Sequence, residues 1–119
     1  MANSLRLLQL SDPHLFGTTT GELRGVATLP ALEATKAHAE RYFRAPDALL
    51  LTGDLVQDDP GGYALLRATF ESSPVPVYCL PGNLDIPAAM HATLDAAPFQ
   101  VGGQFIAAGW LVIMLDTWK

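Results

Sequence analysis

The chain has 119 residues, half of them hydrophobic and 16% charged, which excludes a disordered chain and supports one folded domain with a sizeable core. Its formal net charge of −5 excludes a protein whose main task is gripping nucleic-acid backbone. It leaves room for a phosphorylated small molecule, because bound cations reverse the sign of a pocket locally.

The first apolar segment, Leu5 to Leu10, runs directly into Ser11-Asp12 and is too short for the core of a signal peptide. The longest apolar run, Phe105 to Leu115, is about half of the ~20 residues that a membrane-spanning helix needs. Cys79 is the single cysteine and offers neither a disulfide nor a cysteine-based zinc site. It reads as core packing in a soluble, cytoplasmic protein with no membrane partner.

After the first strand, Leu32, Thr35, Ala39, Tyr42 and Phe43 share one face of a helix that Thr28 and Pro30 help to start. A second strand follows at Ala48 to Leu51. Tyr63, Leu66 and Phe70 then mark a second helix, with Asp59-Pro60 as its cap and first turn. The third strand is Val75 to Leu80, and Pro87, Met90 and Leu94 suggest a shorter third helix. Alternating strands and helices predict an α/β fold on a parallel sheet, its strands buried on both faces. Beyond Pro98 the pattern changes. Phe99 to Val101, Gly102-Gly103 and Gln104 to Ala108 read as short strands about a tight turn, and Gly109 leads into a last strand at Leu111 to Leu115. There is no internal repeat, low-complexity tract or linker.

The polar residues fall where such a sheet binds ligands. The first strand ends in Ser11-Asp12-Pro13-His14, the second in Thr52-Gly53-Asp54, and the third in Pro81-Gly82-Asn83-Leu84-Asp85. Loops leaving the carboxyl ends of parallel strands share one edge, so these clusters should converge. Asp12 and His14 alternate at i and i+2 and can face one ion. Carboxylate and imidazole suit Mn, Fe, Co or Zn dications. Asp54 has two oxygens and can bridge a pair of ions about 3.5–4 Å apart, and Asn83 offers an amide oxygen to the second. Taken singly, Asp54 reads as a helix cap, Asp12-Pro13 as a turn, and Gly82-Asn83 as another turn. Three such clusters at three successive strand ends point instead to one metal site.

The runs Leu8 to Leu15, Leu51 to Val56 and Leu80 to Asp85 resemble the calcineurin-like metallophosphoesterases. Within them the likeness is to bacterial class III 3′,5′-cyclic AMP phosphodiesterases, strengthened by Gly25 to Thr28 and Val75 to Pro81. The resemblance spans essentially the whole chain but only the first half or so of a family member. It implies the N-terminal half of an α/β/β/α sandwich, expected here as a single truncated domain. It also implies two divalent ions: Asp12 and His14 on one, Asp54 bridging both, and Asn83 on the other. The implied reaction is hydrolysis of a cyclic nucleotide, cyclic AMP first, by in-line attack of an activated water on phosphorus.

Two departures bear on activity. The family's third block carries a histidine that protonates the leaving alkoxide, and Leu84 stands at that position. Leucine has no proton to give. Asp85, which would support that histidine, is expected to be only a loop or cap residue. The further histidines that the family supplies later in its chain have no counterpart, since His38 and His91 fall within predicted helices without a surrounding motif. The second ion is therefore expected to bind weakly, and this chain alone to catalyse little. The alternatives are a non-catalytic half-domain, binding one metal weakly or pairing through an open sheet edge, and the product of a broken coding sequence.

Overall fold

In a computed structural model the described residues are 4–43 and 45–117. Four strands form a parallel sheet in the order β1 (Leu7–Leu10), β4 (Ala48–Thr52), β5 (Val77–Leu80) and β6 (Phe99–Val101). Between β1 and β4 lie a small antiparallel hairpin, β2 (Glu22–Leu23) with β3 (Val26–Ala27), and the helix α1 (Thr28–Tyr42). The helices α2 (Gly62–Phe70) and α3 (Pro87–Thr93) follow β4 and β5.

Side chains alternate across a strand, and here that alternation builds two separate cores. Leu49 and Leu51 of β4, Val77 and Cys79 of β5, and Phe99 of β6 point to one face and pack with Leu32, Leu66, Phe70, Met90 and Leu94 from the helices. Ala48 and Tyr78 point to the other face and pack with Met114, Phe105 and Val112. Those three belong to a second hairpin, β7 (Gly103–Ala107) with β8 (Trp110–Met114). Tyr78 and Phe105 stack with ring centroids 3.9 Å apart.

Three expectations from the sequence are corrected, and the start of α1 at Thr28 agrees with the expected helix start. Phe99 to Val101 is not one arm of a tight hairpin. It joins β5 in parallel, the Gly102 amide extends that pairing to the Cys79 carbonyl at 2.9 Å, and the chain then leaves for the second hairpin, whose turn is Ala108-Gly109. The parallel strands are not all buried on both faces. β1 is one of the two edge strands, and Gln9 lies outside the core, its side-chain amide donating to the Thr52 hydroxyl at 2.7 Å. Tyr42 and Phe43 do not follow Leu32 and Ala39 inward but remain about 60% exposed at the end of α1, where the helix stops before β4.

Cys79 is fully enclosed. Burial, reinforced by the Asp85 carboxylate, pushes its thiol from the ordinary 9.0 up to about 12. Burial and then the hydrogen bond to Asp85 push the Tyr63 phenol upward as well. Between pH 9.0 and about 12 the unfolded chain has released its thiol proton and the folded chain has kept it. The stability from a buried neutral thiol is therefore complete below pH 9 and is lost as pH rises through that window. Denaturation midpoints measured from pH 8 to pH 12 should fall, and fall less steeply in Cys79→Ala. A native-state thiol that titrates near 9.0 would contradict this burial.

Candidate metal centre

β1, β4 and β5 run in parallel, so their carboxyl ends deliver three loops to one rim. The first two loops continue the sheet pairing by backbone alone. The amides of Asp12, His14 and Leu15 donate to the carbonyls of Gly53, Asp54 and Leu55 at 3.0, 3.0 and 2.9 Å. This zipper holds unusual backbone. Asp12, His14 and Asp54 have φ of 60°, 47° and 50°, the left-handed region that non-glycine residues rarely adopt. Each such residue is strained by roughly 1–3 kcal/mol and persists only where its surroundings over-determine it. Three such acceptor-bearing residues thus sit together on one rim.

The side chains meet as the alternation at positions 12 and 14 predicts. Asp12, His14 and Asp54 each offer one ligand atom, and these atoms lie within 4.8 Å of one another. His14 Nε2 is 3.4 Å from Asp12 Oδ1, while its Nδ1 is buried with no hydrogen-bond partner among the described residues. The Ser11 hydroxyl donates to the second Asp12 oxygen. Two carboxylates and one imidazole, the latter with a buried nitrogen that lacks a partner, are a donor set that fits a divalent cation.

Asp54 is also held from the third loop. Its Oδ1 accepts the Leu84 amide at 2.9 Å, and a carboxylate with two oxygens keeps ligand capacity beyond that bond. Gly82 makes the approach possible. A Cβ there would meet both the amide nitrogen and Oδ1 of Asp54 at 2.5 Å. Asn83 is exposed in the same turn, flanked by Gly82 and Leu84, the two residues that touch Asp54. Leu84 is partly buried, and its carbonyl accepts the Asp58 amide at 3.1 Å. His38 and His91 are exposed on α1 and α3, away from the triad.

Asp85 corrects the expectation of a simple loop or cap residue. It is 4% exposed, and its carboxylate accepts the amides of Leu55, Val56 and Gly82 at 3.1, 3.2 and 2.7 Å and the Tyr63 hydroxyl at 2.7 Å. Tyr63 Oη in turn accepts the Ile86 amide at 2.9 Å. One buried carboxylate thus binds the loop after β4, the loop after β5 and α2 together. Sequence reasoning placed Tyr63 in the apolar stripe of α2 and missed this role. The available signal was its hydroxyl, which needs a partner when buried. Asp59 makes a lesser tie of the same kind, accepting the Gly17 amide at 2.7 Å and the Gly61 amide at 3.0 Å.

Residues 5–113 match the calcineurin-like phosphoesterase family, and the chain belongs to it. Among curated relatives it is 33% identical over 119 residues to a probable cyclic nucleotide phosphodiesterase of Synechococcus, covering 99% of this chain and 46% of that protein. It is 34% identical over 119 residues to the 3′,5′-cyclic adenosine monophosphate phosphodiesterase of Escherichia coli K12, covering 95% of this chain and 42% of that one. The enzyme of the same description from Haemophilus influenzae is 31% identical over 115 residues, with coverages of 95% and 42%. The chain therefore spans somewhat under half the length of these relatives.

Replacing Asp85 by alanine leaves buried amides and a hydroxyl without an acceptor and should lower unfolding free energy by at least about 3 kcal/mol. Tyr63→Phe should lower it by about 2 kcal/mol. Urea denaturation checks both, and an Asp85→Ala loss within about 0.5 kcal/mol, as at an ordinary surface site, would refute the hub. Gly82→Ala should displace the Asp54 carboxylate and weaken manganese binding more than it weakens the fold, as calorimetry and denaturation on the same variant would reveal.

Proposed function

We propose that this chain supplies one side of a dinuclear metal centre that hydrolyses the phosphodiester of a cyclic nucleotide, with 3′,5′-cyclic AMP the first candidate. The observation that carries the proposal is the convergence of Asp12, His14 and Asp54 within 4.8 Å at the carboxyl rim of the parallel sheet. Asp12 and His14 would hold one ion, Asp54 would bridge to a second, and Asn83 would reach that second ion. Ions bound there, whether Fe, Mn, Co or Zn, would activate water and neutralise charge on the phosphoryl oxygens. The chain's own part is to hold these side chains in position. The Asp54 carboxylate is oriented by the Leu84 amide, and Asp12 by Ser11. The relatives described as cyclic nucleotide phosphodiesterases support this substrate class. No described helix is long and apolar enough to cross a membrane, and a cytoplasmic location, with a lone reduced cysteine, belongs to the same proposal.

Leu84 favours a second reading. An apolar side chain stands where the family resemblance implies a proton donor, so the site would bind metal yet turn over slowly. General acid catalysis is typically worth about 10²–10⁴ in rate. A non-catalytic module of this kind would fit self-association through the exposed Ile106, Leu111 and Ile113 of the second hairpin.

Calorimetric titration of manganese into the purified chain is expected to show binding that Asp12→Ala removes. With excess manganese, cyclic AMP hydrolysis should be faint in the native sequence and rise by about 10² or more in Leu84→His. Metal binding indifferent to Asp12 would sink the proposal. Asp12-dependent binding with Leu84→His still silent would leave the non-catalytic reading standing.

A further inference from the structure

A cleft beside the triad takes the proposed phosphoesterase reading one step further and rests on it. A cavity of about 380 Å³ opens next to Asp12 and His14, within the size range of small-molecule sites. Its other walls come from the end of β1, the β2–β3 hairpin and the first turns of α1, where Leu10, Leu23, Val26, Ala31 and Leu32 line it. The cleft is therefore polar at the end shared with the triad and mixed elsewhere, where Thr28, Thr35 and Arg24 interrupt a mainly apolar lining. A phosphoester whose phosphoryl group sits at the triad would place its organic part against these walls.

Arg24 lines the same cavity. With Gly25 it forms the two-residue tip of the β2–β3 hairpin, between the paired Leu23 and Val26. Both tip residues are left-handed, with φ of 52° and 82°. Such a tip favours asparagine at its first position, and an arginine there is strained. Among the described residues no hydrogen bond or ion pair accounts for its guanidinium. Val26, next to it, is apolar and 54% exposed while lining the cavity. A strained, solvent-exposed cation and an uncovered valine thus both line a cavity that opens on the candidate reaction centre.

We propose that this cleft receives the nucleobase of a nucleotide, and that Arg24 is a specificity-determining residue whose planar guanidinium lies against the base. Guanidinium is weakly hydrated and stacks on aromatic faces, which an ammonium does not do. A bare sugar would present hydroxyls to Leu23, Val26 and Leu32, and an acyl chain would make no use of Arg24 or the two threonines. A base satisfies both the walls and the cation.

The test compares 5′-AMP with ribose 5-phosphate, which share the phosphate and differ in the base. On the manganese-loaded chain, AMP is expected to bind about tenfold more tightly. Arg24→Asn should reduce that preference to about twofold while raising the melting temperature by about a few degrees, because asparagine relieves the strained tip. Arg24→Lys keeps the charge and should also lose most of the preference. Without metal, AMP should shift the methyl resonances of Leu10, Leu23, Val26 and Leu32 in NMR spectra. Equal affinity for the two ligands, or a preference unchanged in Arg24→Asn or Arg24→Lys, would overturn the cleft assignment even where manganese binds normally. Failure to bind manganese would overturn the phosphoesterase reading itself, and this inference with it.

Discussion

Asp85 sets the geometry on which the rim depends. A buried carboxylate is tolerable only when its lone pairs are occupied. This one is occupied by three backbone amides and a tyrosine hydroxyl drawn from three different elements. Without it the Leu55 and Val56 amides would be buried donors lacking an acceptor, so the arrangement is specified from both sides. Its consequence is positional. The loops after β4 and β5 are held at one spacing, and Asp54 lies between them, gripped through the Leu84 amide and against Gly82. Below this hub lies Cys79, fully buried on β5, so the polar network rests directly on the apolar core.

Above the hub, the backbone zipper between the first two loops holds Asp12, His14 and Asp54 in left-handed conformations. Unsupported loops would relax from such backbone. The parallel pairing of β1 with β4 carries on through these loops to an isolated bridge between Leu15 and Val56, both fully buried. Hydrophobic burial just beyond the rim thus stabilises strained, acceptor-rich residues at it. The fold thus places residues of the apolar core directly beside strained, acceptor-rich ones.

The sheet and helices were readable because hydrophobic period tracks element type, and the first two apolar runs end in the polar clusters whose Asp12, His14 and Asp54 come together. What escaped has physical causes. The partners of Asp85 are mostly main-chain amides, which leave no mark on residue identity, so a sequence reading could treat it only as a loop residue. Phe99–Val101 pairs in parallel with β5 through Tyr78 opposite Gln100, a long-range register that Gly102-Gly103 does not announce. The β2–β3 hairpin has strands of two residues and an Arg-Gly tip in place of the usual Asn-Gly signal. Tyr42 and Phe43 follow helical spacing but lie where α1 has outrun the sheet, and periodicity cannot report where a partner surface ends.

Anomalous diffraction at the zinc edge, from crystals soaked in zinc, is the measurement to make. The geometry requires a peak about 2.0–2.2 Å from one oxygen each of Asp12 and Asp54 and from an imidazole nitrogen of His14. Well-ordered rim loops with no peak between those three side chains, or zinc found only at the exposed His38 and His91, would contradict it.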